Sequence, residues 1–190
     1  ILFVAMGIDY RRYREPAFIW GCLGVVLLLL VAVLFSPPVN NARRWFSVGG
    51  LGIQPSELAK LIAILFIAAL LEKRAHRINE IGYALVPIGL VVGLLMLLIL
   101  LEPDFGTSMS LALIAGVMVF SAGLNYLYVA GAATLLLPAA ALIMFGEEYR
   151  RRRFFAFMDP WEDPLGSGFQ LIQSLIAVGT GGVTGRGLMQ

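Results

Sequence analysis

The sequence predicts an all-α protein that crosses a membrane several times. Hydrophobic residues make up 59% of the 190 residues and charged residues only 14%, a composition typical of membrane proteins. Long apolar runs alternate with short charged loops, and a helix needs about 20 mainly apolar residues to cross a hydrocarbon core of roughly 30 Å. We therefore expect a helix-bundle fragment with about five full spans, preceded by the tail of another helix at residues 1–8.

Five apolar stretches are long enough to cross, although one of them contains Lys60. The predicted spans are residues 17–36, 54–72, 81–101, 107–123 and 126–145. Together they form a single transmembrane domain fragment covering residues 1–190, with a large extracytoplasmic loop at residues 146–190. Within that loop, residues 169–178 are apolar but too short to cross, so they predict a short interfacial helix.

Composition also excludes several classes of function. Cys22 is the only cysteine, which excludes a disulfide framework and a thiolate metal cluster. His76, the only histidine, lies in a charged loop and is interpreted as solvated. A net charge of +2 gives no reason to expect a nucleic-acid partner. Because the chain begins with Ile1 and stops at Gln190 within a glycine-rich stretch, we expect it to be part of a longer protein.

The loops fall into two sets, because successive spans alternate sides. One set contains Arg11, Arg12, Arg14, Lys73, Arg74 and Arg77. The other contains Arg43, Arg44, Arg150, Arg151, Arg152 and Arg153. Cytoplasmic loops carry an excess of basic residues, but here the count is six against six. The second set also gathers the Trp, Asp-Pro and Gly-rich sequence, which favours ligand binding, and we assign it to the outer side.

The stretch before the second span combines a turn with charged residues. Three glycines mark the turn: Gly49, Gly50 and Gly52. Pro55 suits the first position of a helix, on which Glu57 and Lys60 share a face. One interpretation is an ion pair that neutralises itself. The other is a polar wall inside a substrate cavity, with Arg43 and Arg44 above it.

The turn between the third and fourth spans reads E-P-D-F-G-T. Pro103 and Gly106 break the helix, which places Glu102 and Asp104 at the membrane boundary. Asp104 is suited to cap the next helix, because negative charge stabilises a helix N-terminus. For Glu102 two alternatives are open: pairing with a basic residue from another outer loop, or binding a divalent cation.

The third polar stretch contains four consecutive arginines, Arg150 to Arg153. Arginine binds phosphate through a planar fork of donors, although such a loop can also bind lipid head groups. The following D-P-W-E-D-P predicts a rigid turn, because two prolines restrict the backbone. Trp161 suits the head-group level of a membrane.

Three patterns occur in order along nearly the whole chain. They are N-x-A-R-R-W-F with G-x-x-x-Q-P-S-E-x-x-K, then E-P-D-F-G-T, then R-x-x-R-x-x-x-F-x-D-P-W-x-D-P-x-G-x-G-F-Q. Together they resemble the SEDS family, which includes RodA, FtsW and SpoVE. The version M-D-P-W-E-D-P-x-G-S-G-F-Q is nearer to FtsW than to RodA.

The resemblance implies a multi-pass protein of the bacterial inner membrane, with ten helices, that polymerises peptidoglycan from lipid II. It implies a class B penicillin-binding protein, a transpeptidase, as partner. We assign no cofactor, and the divalent cation considered above stays open. By this alignment the chain begins in the second helix and ends in the loop between the seventh and eighth. The family's catalytic aspartate belongs to a downstream P-E-x-x-T-D-F-I-F motif, so we assign no catalytic residue here.

These observations give a set of expected substrate-binding residues: Arg43, Arg44, Glu57, Lys60, Glu102, Asp104, Arg150, Arg153 and Gln170. We expect the cations Arg43, Lys60, Arg150 and Arg153 to bind or border the pyrophosphate of lipid II, and the acids to orient them or hold a metal. Arg151 and Arg152 are assigned to lipid head groups. The alternatives are a lipid II flippase, and a scaffold that only recruits a transpeptidase.

Overall fold

A computed structural model describes residues 13–37, 43–48 and 51–187. The regular elements are α1 (Pro16–Val33), β1 (Phe46–Val48), β2 (Leu51–Ile53), α2 (Pro55–Arg74), α3 (Val86–Leu101), α4 (Phe105–Ser121), α5 (Tyr126–Gly146), α6 (Glu148–Met158) and α7 (Phe169–Gly181). A short 3-10 turn, Ala75–Arg77, follows α2, and a π-helical turn, Ile81–Leu85, leads directly into α3. The helix tail predicted at residues 1–8 lies outside the described residues, as do Gly49 and Gly50.

Helices α1 to α5 correspond to the five predicted spans, with boundaries that differ by a few residues. In the described part of the chain, three helices are long and apolar enough to cross a membrane: Pro16–Val33, Ile81–Leu101 and Tyr126–Gly146. Helix α4 has 17 residues, and α2 carries charges at both ends. Helix α1 ends earlier than predicted, because tighter turns over Leu34 to Ser36 close it before Pro37.

The chain forms two compact units, residues 1–131 and 132–190, and each is described by itself. In the first unit, α2 is the central helix and packs against α1, α3 and α4. Its buried face carries Ala59, Ala63 and Ile67, and small residues at such spacing let helices approach closely in a membrane. On the outer surface, side chains such as Leu28 and Leu113 are exposed, as expected where lipid is the solvent.

The helices of this unit alternate in direction, so their loops gather at two ends. At one end, Arg43 Nη1 donates to the carbonyl oxygen of Leu34, and Gln54 Nε2 donates to Asp104, both at 2.9 Å. We call it the hairpin end. At the other end, Arg14 pairs with Glu72 at 3.0 Å. The backbone N–H of Asn125 also donates to Asn79 there, at 2.8 Å. The two ends match the two predicted loop sets over residues 13–131.

A small antiparallel hairpin, which the sequence predicted only as a turn, precedes α2. Phe46 pairs with Ile53 and Ser47 with Gly52. Gly52 is required by close packing, because a Cβ there would lie 3.0 Å from Cε3 of Trp45. Pro55 then occupies the start of α2 as predicted.

The second unit contains most of α5, followed by α6 and α7. Pro138 lies within α5, and no residue of that helix is buried. The four arginines were expected in a loop but lie on the helix α6, which is a correction to the prediction. The short apolar helix predicted at residues 169–178 is present as α7, three residues longer.

Candidate functional site

Asp104 lies at the centre of a polar cluster at the hairpin end. Its carboxylate accepts the backbone N–H of Thr107 at 3.2 Å and the Thr107 hydroxyl at 2.9 Å. It also accepts the Gln54 side chain at 2.9 Å, and Arg44 Nη1 is 3.8 Å from Oδ1. The predicted helix cap is therefore confirmed. The same carboxylate also joins the start of α2 and the chain before β1 to the α3–α4 turn.

Glu102, two residues earlier, is completely buried, and neither of its carboxyl oxygens has a hydrogen-bond partner in the described structure. Burial, and to a lesser extent the charge of Asp104, raise the pKa of Glu102 to about 8, and Arg44 acts in the opposite direction. Because an ionised carboxylate is costly to bury without a partner, this side chain holds a proton at neutral pH.

Two hydrogen-bond donors in this cluster are also buried and unpaired among the described residues. They are the Ser56 hydroxyl and Nε of Arg44. Ser56 lies in the first turn of α2 and is buried in the bundle. We name these buried and partly buried polar residues the hairpin cluster: Arg44, Gln54, Ser56, Glu102, Asp104 and Thr107.

Glu57 and Lys60 form an ion pair on α2, with Nζ 2.9 Å from Oε1. The pairing anticipated as one of the two interpretations is therefore present. Lys60 is the more buried partner, with 24% of its side chain exposed against 56% for Glu57. An apolar helix tolerates a lysine more easily near its end and next to an acid, and both conditions hold here. The second interpretation, a wall of a substrate cavity, stays a prediction.

Arg43 and Arg44 reach different groups although they are adjacent. Arg43 is exposed and donates to the carbonyl oxygen of Leu34, in the turn that closes α1. Arg44 turns inward to the hairpin cluster. Trp45 follows, partly exposed, with its ring against Gly52. An arginine and an indole at the end of an apolar bundle are typical of a membrane–water boundary.

The arginines of α6 have distinct partners within the second unit. Arg150 Nε donates to the carbonyl oxygen of Ile143 at 3.0 Å, near the end of α5. Arg152 pairs with Glu148 at 2.5 Å. Arg153 Nη2 donates to Gln170 Oε1 at 3.1 Å, so two of the predicted site residues contact each other and join α6 to α7.

The connection from α6 to α7 is a hydrogen-bonded turn, as the D-P-W-E-D-P sequence predicted. The Asp163 carboxylate accepts the backbone N–H groups of Ser167 at 2.9 Å and Gly166 at 3.1 Å, and these bonds, that of Ser167 first, lower the pKa of Asp163. Glycine is required at Gly168, where a Cβ would overlap the carbonyl oxygen of Pro160.

The described residues do not fit a divalent cation. Within residues 13–37, 43–48 and 51–187, no group of three or more His, Cys, Asp or Glu side chains could hold a metal ion. Glu102 and Asp104 are only two carboxyl groups, and Arg44 already lies against Asp104. The guanidinium supplies the positive charge that a cation would otherwise bring.

Comparison with known proteins identifies the family. The model of a family described as cell cycle proteins, and named for FtsW, RodA and SpoVE, matches residues 1–190. The chain belongs to this family. A probable peptidoglycan glycosyltransferase FtsW of Geobacter metallireducens is 36% identical over 189 residues, which cover 98% of this chain and 50% of the relative. Stage V sporulation protein E of Bacillus subtilis is 36% identical over 194 residues, covering 100% and 52%.

Solved structures of the family share the fold of this chain. One, described as "structural coordination of polymerization and crosslinking by a peptidoglycan synthase complex", matches with a TM-score of 0.69 and 35% identity over 95% of this chain and 53% of the other. The rod shape determining protein RodA of Thermus thermophilus matches with a TM-score of 0.62 and 32% identity over 79% and 48%. The chain spans about half the length of these relatives. It is an all-α, multi-pass membrane protein of the FtsW, RodA and SpoVE family.

Proposed function

We propose that the protein containing this chain is a peptidoglycan glycosyltransferase of the bacterial inner membrane, which polymerises lipid II into glycan strands. Relatives named for this activity match nearly the whole chain. The observation that carries the proposal for the chain itself is the ammonium group of Lys60 at the hairpin end of α2, with 24% of its side chain exposed and the more exposed Glu57 as its partner. Ionisable residues are rare within membrane helices and commonly mark functional positions there.

The proposed reaction has two requirements. A sugar hydroxyl attacks the anomeric carbon of the growing strand, a C–O bond forms, and undecaprenyl pyrophosphate leaves with the bonding electrons of the broken C–O bond. A carboxylate must take the proton of the hydroxyl, and positive charge must stabilise the leaving pyrophosphate. The resemblance assigns the carboxylate to a motif that this chain does not include. The chain is proposed to meet the second requirement.

Lys60 and Arg43 are the proposed cations of the first unit. Glu57, the partner of Lys60, is the more exposed of the pair, so an arriving pyrophosphate can compete for the ammonium from the solvent side. Arg43 is exposed near the same end. Arg44, Glu102 and Asp104 are proposed to hold the chain before β1 in place through the hairpin cluster, since all three are largely buried.

Arg150 and Arg153 are the proposed cations of the second unit. The partner of Arg153 is the neutral amide of Gln170, so its guanidinium charge is not cancelled by an acid in that contact. A planar guanidinium binds two phosphate oxygens at once, which a lysine cannot do. Gln170 is therefore proposed to orient Arg153 toward the substrate.

The test is lipid II polymerisation by the purified full-length protein with its transpeptidase partner. Lys60→Ala is expected to lower turnover by about 10² to 10³, the loss seen when one charge-stabilising donor is removed, and Lys60→Arg is expected to retain most activity. The matched control is Lys73→Ala, in the last turn of the same helix, which should be unaffected. Normal turnover by Lys60→Ala at normal expression would remove Lys60 from the site.

A second series addresses the arginine fork. If the phosphate must be bound at two points, Arg153→Ala and Arg153→Lys should both lose activity. If Arg153→Lys is active and Arg153→Ala is not, a positive charge is enough. The flippase alternative predicts reorientation of lipid II across a vesicle without polymer. A scaffold predicts that all these side chains are replaceable.

We also propose a class B penicillin-binding protein as partner. The similarity to a chain from a peptidoglycan synthase complex supports this proposal. Co-purification of the two full-length proteins from membranes tests it independently of turnover.

A further inference from the structure

Helix α6 carries an exposed stripe in which one arginine precedes three apolar side chains. Arg151, Phe154, Phe155 and Met158 have the spacing i, i+3, i+4 and i+7, which places them along one stripe of a helix, and all four are exposed. The opposite stripe contains Ala156, which is buried, and Arg153, which bonds to Gln170. We call the first stripe the 151/158 face.

Arg151 differs from the other three arginines of α6. Arg150, Arg152 and Arg153 each have a partner within the second unit. The side chain of Arg151 makes no hydrogen bond or ion pair with any residue that the structure describes. The side chain is exposed, and the helical spacing places it beside three apolar side chains. Such a stripe is stable where apolar groups contact its aromatic and methionine side chains and an anionic group contacts the arginine.

The position of α6 identifies that environment. Only Glu147 separates the start of α6 from Gly146, the last residue of α5, and α5 is one of the helices apolar enough to cross a membrane. Phe154 also packs edge-to-face on Phe145 of α5, with ring centroids 5.7 Å apart. The 151/158 face therefore continues the exposed apolar surface of a membrane span.

We propose that the 151/158 face of α6 lies on the membrane, with the Arg151 guanidinium bound to the phosphate of an anionic phospholipid and Phe154, Phe155 and Met158 among the acyl chains. A helix with aromatic residues on one face and arginine at the head-group level binds the interface in this way. The proposal does not depend on the proposed enzymatic function. It divides α6 into a lipid-binding side, with Arg151, and a side directed at α7, with Arg153.

The experiment uses the full-length protein carrying Cys22→Ser, so that an introduced cysteine can be labelled with an environment-sensitive fluorophore. One label replaces Phe155, on the 151/158 face. The matched control replaces Tyr149, an exposed aromatic residue on the opposite stripe. Each protein is reconstituted into nanodiscs of phosphatidylcholine, with or without phosphatidylglycerol, and lipids bearing a nitroxide on the acyl chain serve as quenchers.

The label at position 155 is expected to be quenched by the acyl-chain nitroxide, and the label at 149 is not. Adding Arg151→Gln should reduce the ratio of α6 lying on the membrane to α6 detached from it by about fivefold in discs with phosphatidylglycerol, as expected for one basic residue at an anionic surface. The ratio is obtained from the quenching of the label at position 155. Arg152→Gln, which breaks an ion pair to Glu148 instead, should have a smaller effect.

Three results would overturn the proposal. Absence of quenching at position 155 would show that the face is not on lipid. A blue-shifted but unquenched label there would show that another protein surface covers it. Equal quenching in both lipid mixtures, unchanged by Arg151→Gln, would exclude binding of Arg151 to anionic phospholipid.

Discussion

Glu102 is the residue whose environment is least expected from its chemistry. A carboxyl group at the end of an apolar helix usually reaches water or a basic partner, yet this one is fully buried, with no hydrogen bond to its oxygens in the described structure. Arg44 lies in the same cluster but is placed against Asp104. The guanidinium therefore neutralises Asp104, and Glu102 avoids a buried charge by staying protonated.

This arrangement predicts a pH dependence of stability. The folded-state pKa of Glu102, about 8, lies above its ordinary value of 4.5, so the folded protein binds the proton more tightly than the unfolded chain. The contribution of Glu102 is fully present below pH 4.5 and is lost as the pH rises through 8. The free energy of unfolding should fall across this window by at most about 1.4 kcal/mol per pH unit, and Glu102→Gln should remove that slope.

Thermal unfolding in detergent between about pH 5 and about pH 9 measures this effect, because Glu102 of the folded protein loses its proton within this range. The control is Glu80→Gln, whose exposed carboxyl has its pKa lowered by the hydrogen bond from Arg77. It titrates below the window and should leave the slope unchanged. Parallel curves for the wild type and Glu102→Gln would contradict a protonated Glu102.

Asp104 gives a second prediction, on stability alone. Asp104→Ala removes the cap of α4 and the acceptor for Gln54, and is expected to lower the free energy of unfolding by roughly 2 kcal/mol. Asp104→Asn keeps one acceptor oxygen and should lose less. Ser110→Ala removes a hydroxyl that bonds only the Gly106 carbonyl within α4, and serves as the control. A similar melting temperature for Asp104→Ala and Ser110→Ala would show that the cap contributes little.

At the level of elements, the sequence predicted what depends on long apolar runs and on local turn chemistry. Local pattern predicted a helix at each of the five expected spans, and three of these helices are long and apolar enough to cross a membrane in the described part of the chain. Local pattern also predicted the Pro55 start of α2, the Asp104 cap and the helix at Phe169. Helix α6 was missed although its signal was present. No glycine or proline occurs between Glu147 and Met158, and arginine is a good helix former.

Other features depend on contacts between distant parts of the chain. Gln54 and Asp104 are 50 residues apart in sequence, and no local pattern indicates that they bond. The hairpin has strands of only three residues, too short for a period-2 signal. The burial of Ser56 and Glu102 follows from how α2, α3 and α4 pack. Tertiary packing therefore determined the part of the site that the sequence did not predict.

At the scale of the whole molecule, the two ends of the first unit differ in how their basic residues are held. At the end opposite the hairpin, the guanidinium groups of Arg74 and Arg77 lie 4.6 and 4.7 Å from the ring of Tyr83. Arg77 also pairs with Glu80 at 2.5 Å. These cations contact an aromatic ring and, for Arg77, a nearby acid, whereas at the hairpin end the exposed Arg43 donates to a backbone carbonyl. The basic residues at the two ends of this unit therefore differ in their partners.

This asymmetry leads to a prediction about orientation. Lipid II is polymerised outside the cytoplasm in the proposed function, so the hairpin end must face outward, because only there are Lys60 and Arg43 available. In a Cys22→Ser background, a membrane-impermeant maleimide should label Phe35→Cys, an exposed position just after α1, in intact spheroplasts. His76→Cys, exposed at the other end, should react only after the membrane is opened. The reverse labelling would place the hairpin end in the cytoplasm, where it could not bind the pyrophosphate of an outward-facing lipid. This result would contradict the proposed role of Lys60 and Arg43 independently of the turnover measured for the Lys60 variants.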